Sequence, residues 1–393
     1  MDVLSDVLRA VRLNGAVYFD IDAGYPWTGE SPGTAEIATA VMPGVEHVIS
    51  FHAILSGSCW AALSDGSTPA LNLSAGDVVV FPGGAPNVMG SEAGARGEPD
   101  MAMYYKPVDK HLPFTLIRGG EGQERTRFVC GYLGCDARPF NPLLAALPPM
   151  LRVTRPTDGG RWVTDLFSMA LREGGSGRAG GETILAKLSE LMFVEVIRCY
   201  IETLPAETRG WLSGLRDPHV GKALRLIHAR PAEGWTLERL AREAGLSRTV
   251  FAERFSDYVG VSPVHYLTGW RLQLARRLLE QTGFGVAPAA AEVGYESEAA
   301  FNRAFKKFVG VPQGRGGRGD CCRPNASLLI PFEFCLRLAR RRRREKFDLR
   351  RLRPSGKPAG TSASGEFCPL GHAGLRPLTV PHAISGSRPA MSA

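Results

Sequence analysis

A chain of 393 residues with 44% hydrophobic content has room for two or three domains with proper cores, and its formal net charge is +8. No stretch approaches 18 uncharged apolar residues, and residues 1–10 carry Asp2, Asp6 and Arg9 where a signal core would be apolar. A membrane partner is therefore excluded and a cytoplasmic location expected. The charge is unevenly divided: −7 over residues 1–218, +4 over 219–312 and +11 over 313–393. An acidic front that repels DNA ahead of a basic portion that meets phosphates predicts a sensor followed by a reader.

Taken in order, residues 2–13 predict a short amphipathic helix (Val3, Leu4, Val7, Leu8, Val11). Short alternating runs punctuated by Gly and Pro then predict strands. Val45, His47, Ile49, Phe51 and Ala53 share one strand face, and Glu46, Ser50 and His52 the other. A turn at Ser56-Gly57, a run from Cys59 to Leu63, a turn at Asp65-Gly66 and a buried strand from Val78 to Phe81 follow.

That last piece, with Gly76, Pro82 and Gly84, resembles the second motif of the cupin barrels, although Asn87 stands at its histidine position. Of the first motif Gly57 fits, but no set of one carboxylate and two histidines precedes it. A cupin metal centre needs three or four converging imidazole and carboxylate ligands, and His47 and His52 point to opposite faces. The expectation is a barrel kept for binding and signalling, with no cofactor and no resident metal. The alternative is a metal-dependent cupin enzyme with an appended DNA-binding domain, which metal analysis would distinguish. Cys130 and Cys135 offer a redox pair, or partners for His47 or His52 around a metal or an oxidant. These four residues are the candidate sensor set. Otherwise the thiols are small apolar fillers, since reactivity needs exposure and a lowered pKa.

Residues 141–149 are expected to leave the barrel, 162–171 to form a helix and 172–181 a glycine-rich hinge. Residues 182–204 predict a long helix with one narrow charged stripe (Lys187, Glu190, Glu195, Arg198, Glu202). It is too apolar for one face of a small domain, so part should pack on the barrel and part on a second copy, giving a homodimer. Residues 206–218 are expected to be a linker.

Residues 236–312 say the same thing twice. Gly245, Ser247, Phe251 and Phe255 recur as Gly294, Ser297, Phe301 and Phe305, and Tyr258-Val259-Gly260-Val261 recurs as Phe308-Val309-Gly310-Val311. Each copy predicts two helices about a tight turn. A glycine supplies the left-handed turn, a serine caps the second helix, and two phenylalanines four apart bury its inner face. Between them, residues 263–281 predict a helix carrying Tyr266, Leu267, Trp270, Leu274 and Leu278.

Two such units joined by one helix resemble the AraC/XylS family of bacterial transcription regulators. The match runs from Leu240-Ala241 through Phe255, then Ser262-Pro263, Tyr266-Leu267, Arg271-Leu272, Ala275, Leu278-Leu279, Val293-Gly294-Tyr295 and residues 301–307. The resemblance implies a non-enzymatic, sequence-specific regulator. Its partners would be double-stranded promoter or operator DNA, RNA polymerase, and a small-molecule or oxidant effector. By position in the family motif, Thr249, Ala252, Glu253, Glu298, Ala299, Asn302 and Arg303 face base edges. Ser247, Arg248, Ser297, Lys306 and Lys307 fall to phosphate.

Family members continue from the Gly-Val-Pro step into a helix with tryptophan and arginine, whereas this chain runs Gln313-Gly314-Arg315-Gly316-Gly317. Cys321-Cys322, Cys335, Cys368 and the run Arg340 to Arg344 follow in aperiodic text. The expectation for 316–393 is a disordered basic tail, with a frameshift near codon 313 as the hypothesis that resequencing tests. The expected fold class is α+β multidomain. It comprises a cupin-like barrel (1–150), a helical packing segment (151–205), a linker (206–218), an all-α double helix-turn-helix (219–315) and the tail.

Overall fold

The computed structural model describes residues 2–105, 111–154, 161–174, 179–280 and 284–310. The expected tail, with its cysteines and arginine run, lies outside these residues.

The chain opens with α1 (Val3–Ala10), capped by the Asp2 carboxylate, which accepts from Leu4 N at 3.1 Å. Then come β1 (Asn14–Gly24), β2 (Thr28–Ser31), α2 (Thr34–Val41), β3 (His47–Ser56), β4 (Ser58–Leu63), β5 (Leu71–Ser74) and β6 (Val78–Phe81). After β7 (Asn87–Gly90), β8 (Phe114–Gly119), β9 (Arg125–Cys135) and α3 (Pro142–Ala146), β10 (Leu151–Val153) ends the sheet. One sheet runs β10-β6-β3-β9-β1-β8, the other β2-β7-β4-β5.

Strand alternation divides the side chains between two cores. Val48 and Ile54 of β3, and Phe128, Cys130 and Tyr132 of β9, turn inward between the sheets with Trp27, Leu73, Phe81 and Met89. Ile49, Phe51, Ala53, Val129, Leu133 and Cys135 turn outward. That outer face is covered by α4 (Arg161–Gly174) and α5 (Gly181–Thr203), with Phe167 of α4 against Phe51 (centroids 6.0 Å). A Cβ on Gly131 would lie 2.3 Å from the Phe51 ring and 2.4 Å from Ala16 O, so only glycine fits that rung. On α5, Ile184 and Leu191 stay exposed (37% and 55%).

The second half contains α6 (Trp211–Arg216), α7 (Pro218–Ala229), α8 (Leu237–Ala244), α9 (Arg248–Val259), α10 (Pro263–Glu280), α11 (Val286–Glu292) and α12 (Glu298–Gly310). The outer core of the front half continues without a break into α7, α8, α9 and the start of α10, through Trp211, Leu224, Leu240, Phe251, Phe255, Tyr266 and Trp270. A separate small core serves α11 and α12: Leu272, Ala275, Leu279, Val286, Ala289, Ala290, Val293, Phe301 and Phe305.

Three expectations need correction. The chain does not leave the sheet at 150, because β10 pairs with β6 (Leu151↔Val80) after α3. The helix expected to end at 171 continues as α4 to Gly174, into the expected hinge. Residues 206–218 are not a free linker, since α6 lies within them. Trp211 is buried there and donates from Nε1 to Tyr266 Oη at 2.9 Å. Six residues are too few to show a helical period, and Gly210, Gly214 and Pro218 masked them. Separately, α1 packs against α7 and α10 of the second half.

Candidate nucleic-acid interface

Each helix-turn-helix is built as its local sequence demands. Thr236 accepts from Arg239 N (3.1 Å) to start α8, and Gly245 ends it at φ +77°. Ser247 then accepts from Val250 N (3.4 Å) at the start of α9, a capping contact typically worth about 1 kcal/mol. In the second unit Gly294 takes φ +86°, where a Cβ would lie 2.4 Å from Ala232 O, and Ser297 accepts from Ala300 N at 3.2 Å.

Phe251, Phe255, Phe301 and Phe305 are all buried, which leaves the opposite faces of α9 and α12 outward. Thr249, Glu253, Ala299, Arg303, Lys306 and Lys307 are exposed, and Ala252, Glu298 and Asn302 half-buried. Ser247 and Ser297 are exposed beside the turns. Arg248, expected at phosphate, reaches Glu238 of α8 instead (2.8 Å), both side chains being exposed. An exposed pair of this kind is weak, so it competes little with a phosphate. Val250, 48% exposed on the same face of α9, was missing from the expected set. Its signal was available, since it lies beside Thr249 and away from the Phe251/Phe255 stripe.

Asp217 locks the first unit together. It accepts from His219 N (3.1 Å) and Val220 N (2.9 Å) at the start of α7, and pairs with Arg254 of α9. Burial pushes this carboxyl up, but Arg254 and the two amides outweigh it, and it sits below the ordinary range.

In the front half, β3 and β9 pair in the register His52↔Cys130 and His47↔Cys135. His52 Nδ1 lies 2.7 Å from Cys130 Sγ, inside the barrel between the rings of Phe81 and Phe128. Burial pushes His52 down to about 4, and a hydrogen bond with Asn87 offsets this only in part. Asn87, at the histidine position of the cupin motif, thus neighbours a neutral imidazole. His47 is apart from this group, its Nε2 2.6 Å from Pro82 O.

Cys130 and Cys135 project from opposite faces of β9 into different cores, so the pair expected from their spacing is not brought together. Burial raises both thiols, Cys130 well above its ordinary value and Cys135 to about 12. Among the described residues no group of three His, Cys, Asp or Glu side chains is arranged to hold a metal ion.

Residues 2–202 match a family model described as Cupin, and residues 240–315 one described as Helix-turn-helix domain. A putative AraC-like transcription regulator of Streptomyces lividans is 32% identical over 323 residues, covering 80% of this chain and 97% of that protein. The HTH-type transcriptional regulator AlkR of Acinetobacter baylyi is 29% identical, over 78% of this chain and 96% of its own length. Among solved structures, unsaturated fatty acid bound ToxT from Vibrio cholerae is 14% identical over 76% of this chain and 92% of that one, with a TM-score of 0.28. With a cupin domain ahead of a duplicated helix-turn-helix, and regulators matched along almost their whole length, the chain belongs to the AraC family of DNA-binding transcription regulators.

Proposed function

We propose that α9 and α12 read two half-sites in successive major grooves, and that the barrel interior receives a small-molecule effector that governs this reading. The observation that carries the first part is the equivalence of the two outward faces on either side of α10. Its 18 residues, at ~1.5 Å each, span about 27 Å, close to the ~34 Å between successive major-groove faces. Thr249 and Ala252 suit a thymine methyl, Glu253 and Glu298 cytosine N4, Asn302 adenine and Arg303 guanine; Ala299 again suits a methyl. Ser247, Arg248, Ser297, Lys306 and Lys307 hold backbone, which positions without specifying.

The testing experiment is selection of duplexes from a random pool by the full chain, followed by Arg303→Ala on the selected site. Specific affinity should fall by about 1–3 kcal/mol with relaxed preference at one base pair. Equal losses on selected and random DNA would reduce Arg303 to a phosphate contact.

For the effector, support lies in two buried polar side chains of the barrel interior, His52 and Ser50, the latter with no hydrogen-bond partner for its Oγ among the described residues, set among apolar and aromatic side chains. An oxidant is the weaker reading, because a buried thiol raised away from the thiolate is a poor nucleophile. The Cys130→Ser chain should therefore keep its effector response in a reporter assay. Loss of response with DNA binding intact would return Cys130 to a sensing role.

A further inference from the structure

Arg276 is a charged side chain of α10 that is 7% exposed, and all its partners but Glu280 come from far away in the sequence. Its guanidinium meets Glu46 (2.9 Å), Asp136 (3.2 Å) and Glu280 (3.0 Å) and donates to Arg138 O. Arg12 closes the cage from the other side, reaching Asp136 at 2.7 Å and Glu280 at 2.8 Å. Glu46 immediately precedes β3, and Asp136 immediately follows β9. These two carboxylates therefore sit side by side at one end of the ladder whose inner rung is His52↔Cys130.

Just beyond, Phe140 lies across α10 in the notch left by Gly269, where a Cβ would come within 2.7 Å of its ring. The Phe140 ring meets Tyr266 of α10 (5.1 Å between centroids) and Phe308 of α12 (6.2 Å). Its backbone N donates to Gln273 Oε1 (3.3 Å), and Gln273 Nε2 donates to Ala10 O at 3.1 Å. The front half thus grips the connector at Tyr266, Gln273 and Arg276, and touches the second reading helix as well. It leaves Thr249, Glu253 and Arg303 uncovered.

We propose that Arg276 and Phe140 form a coupling clamp, through which the β3–β9 ladder of the barrel sets the pose of the second reading helix relative to the first. Both are positioning residues, acting on DNA only through α10 and α12. A buried ion network adds little net stability, because desolvation offsets its attraction, but it accepts few geometries. It therefore suits a joint that must hold one arrangement and be able to leave it. A repacking of the barrel interior that slides β3 or β9 displaces Glu46 and Asp136 directly, and a packed interface answers by switching, not by yielding gradually. Phe140 carries the same displacement to Phe308.

This inference rests on the two-groove reading, and the experiment separates the two. Full-length wild type, Arg276→Gln, Arg276→Lys and Phe140→Ala are titrated with duplexes in which two selected half-sites are separated by spacings varied one base pair at a time over about one helical turn. A duplex with the first half-site alone serves as reference. Wild type should prefer one spacing by about tenfold or more, while Arg276→Gln and Phe140→Ala flatten that preference to about threefold and leave the single half-site unaffected. Arg276→Lys, which keeps the charge, should recover most of it. Unchanged spacing preference in both Arg276→Gln and Phe140→Ala would overturn the clamp. So would equal losses on single and paired sites, which would mark a merely structural role. If Arg276→Gln does not fold, Phe140→Ala decides. A wild type indifferent to spacing would instead overturn the two-groove reading beneath it.

Discussion

Phe301→Ala is expected to unfold the second helix-turn-helix while the barrel and the first unit stay folded. Removing a fully buried phenylalanine costs about 3–5 kcal/mol through lost transfer energy and the cavity left behind. Phe301 is fully buried in a core of nine residues, three of them alanines, that α11 and α12 share only with the later part of α10. So small a cluster has little else to redistribute the loss. Phe251 holds the same place in the first unit, but its core runs on through α7 and α10 to the outer face of the barrel. The measurement is amide hydrogen exchange on the full chain. Residues 286–308 should approach unprotected rates while α8, α9 and β9 keep theirs, with paired-site DNA binding reduced to that of one half-site. A single cooperative loss of protection across the whole chain would contradict this division.

Acid should destabilise the protein well before its carboxylates titrate. Burial holds His52 at about 4 and His228 at about 3, against an ordinary 6.5. The unfolded chain therefore binds more protons than the folded one below pH 6.5. The stability that depends on these neutral imidazoles is complete above that pH, and is lost as the pH falls towards 4 and 3 respectively. By pH 5 each histidine should have cost about 2 kcal/mol, a large share of a typical ~5–15 kcal/mol total.

His228 makes the sharper case. It is stacked on Trp270 (4.0 Å), its Nε2 lies 2.9 Å from Tyr266 Oη, and its Nδ1 is 3.8 Å from Asp6 Oδ2. That last distance fits an ion pair, yet burial lowers His228 and raises Asp6, and both shifts favour the neutral forms. The imidazole is therefore neutral at neutral pH, and the contact is not an ion pair there. Asp6 works in the opposite sense, since a raised carboxyl regains stability as it protonates. Urea unfolding at closely spaced pH values should show a slope near two protons per pH unit between about pH 6 and 5. A slope near zero there would mean that both rings are already charged or hydrated.

The DNA-binding half was legible because its signals are local. Gly245 and Gly294 at positive φ, Ser247 and Ser297 as caps, and phenylalanines four apart each act within one turn of helix, and a duplicated pattern repeats them. In the front half, Val78 to Phe81 was placed as a strand by its own text. The barrel boundary at 150 and the linker at 206–218 were misjudged because β10 and α6 are too short to carry a period. Both are held by distant partners, Val80 in one case and Tyr266 in the other.

From its own sequence the chain determined the helices of the duplicated reader, their caps and turns, and the outward residues of α9 and α12, because backbone conformation and helical periodicity are set by near neighbours. Only the tertiary structure decided that Cys130 faces His52 and not Cys135, that α1 lies on the second half, and that Arg276 is enclosed by Glu46 and Asp136. Those contacts join residues 78 to 263 positions apart, through strand register and domain packing. No local pattern records them: a buried arginine and a solvated one occupy the same place in a helical repeat until the carboxylates that surround it are brought there by the fold.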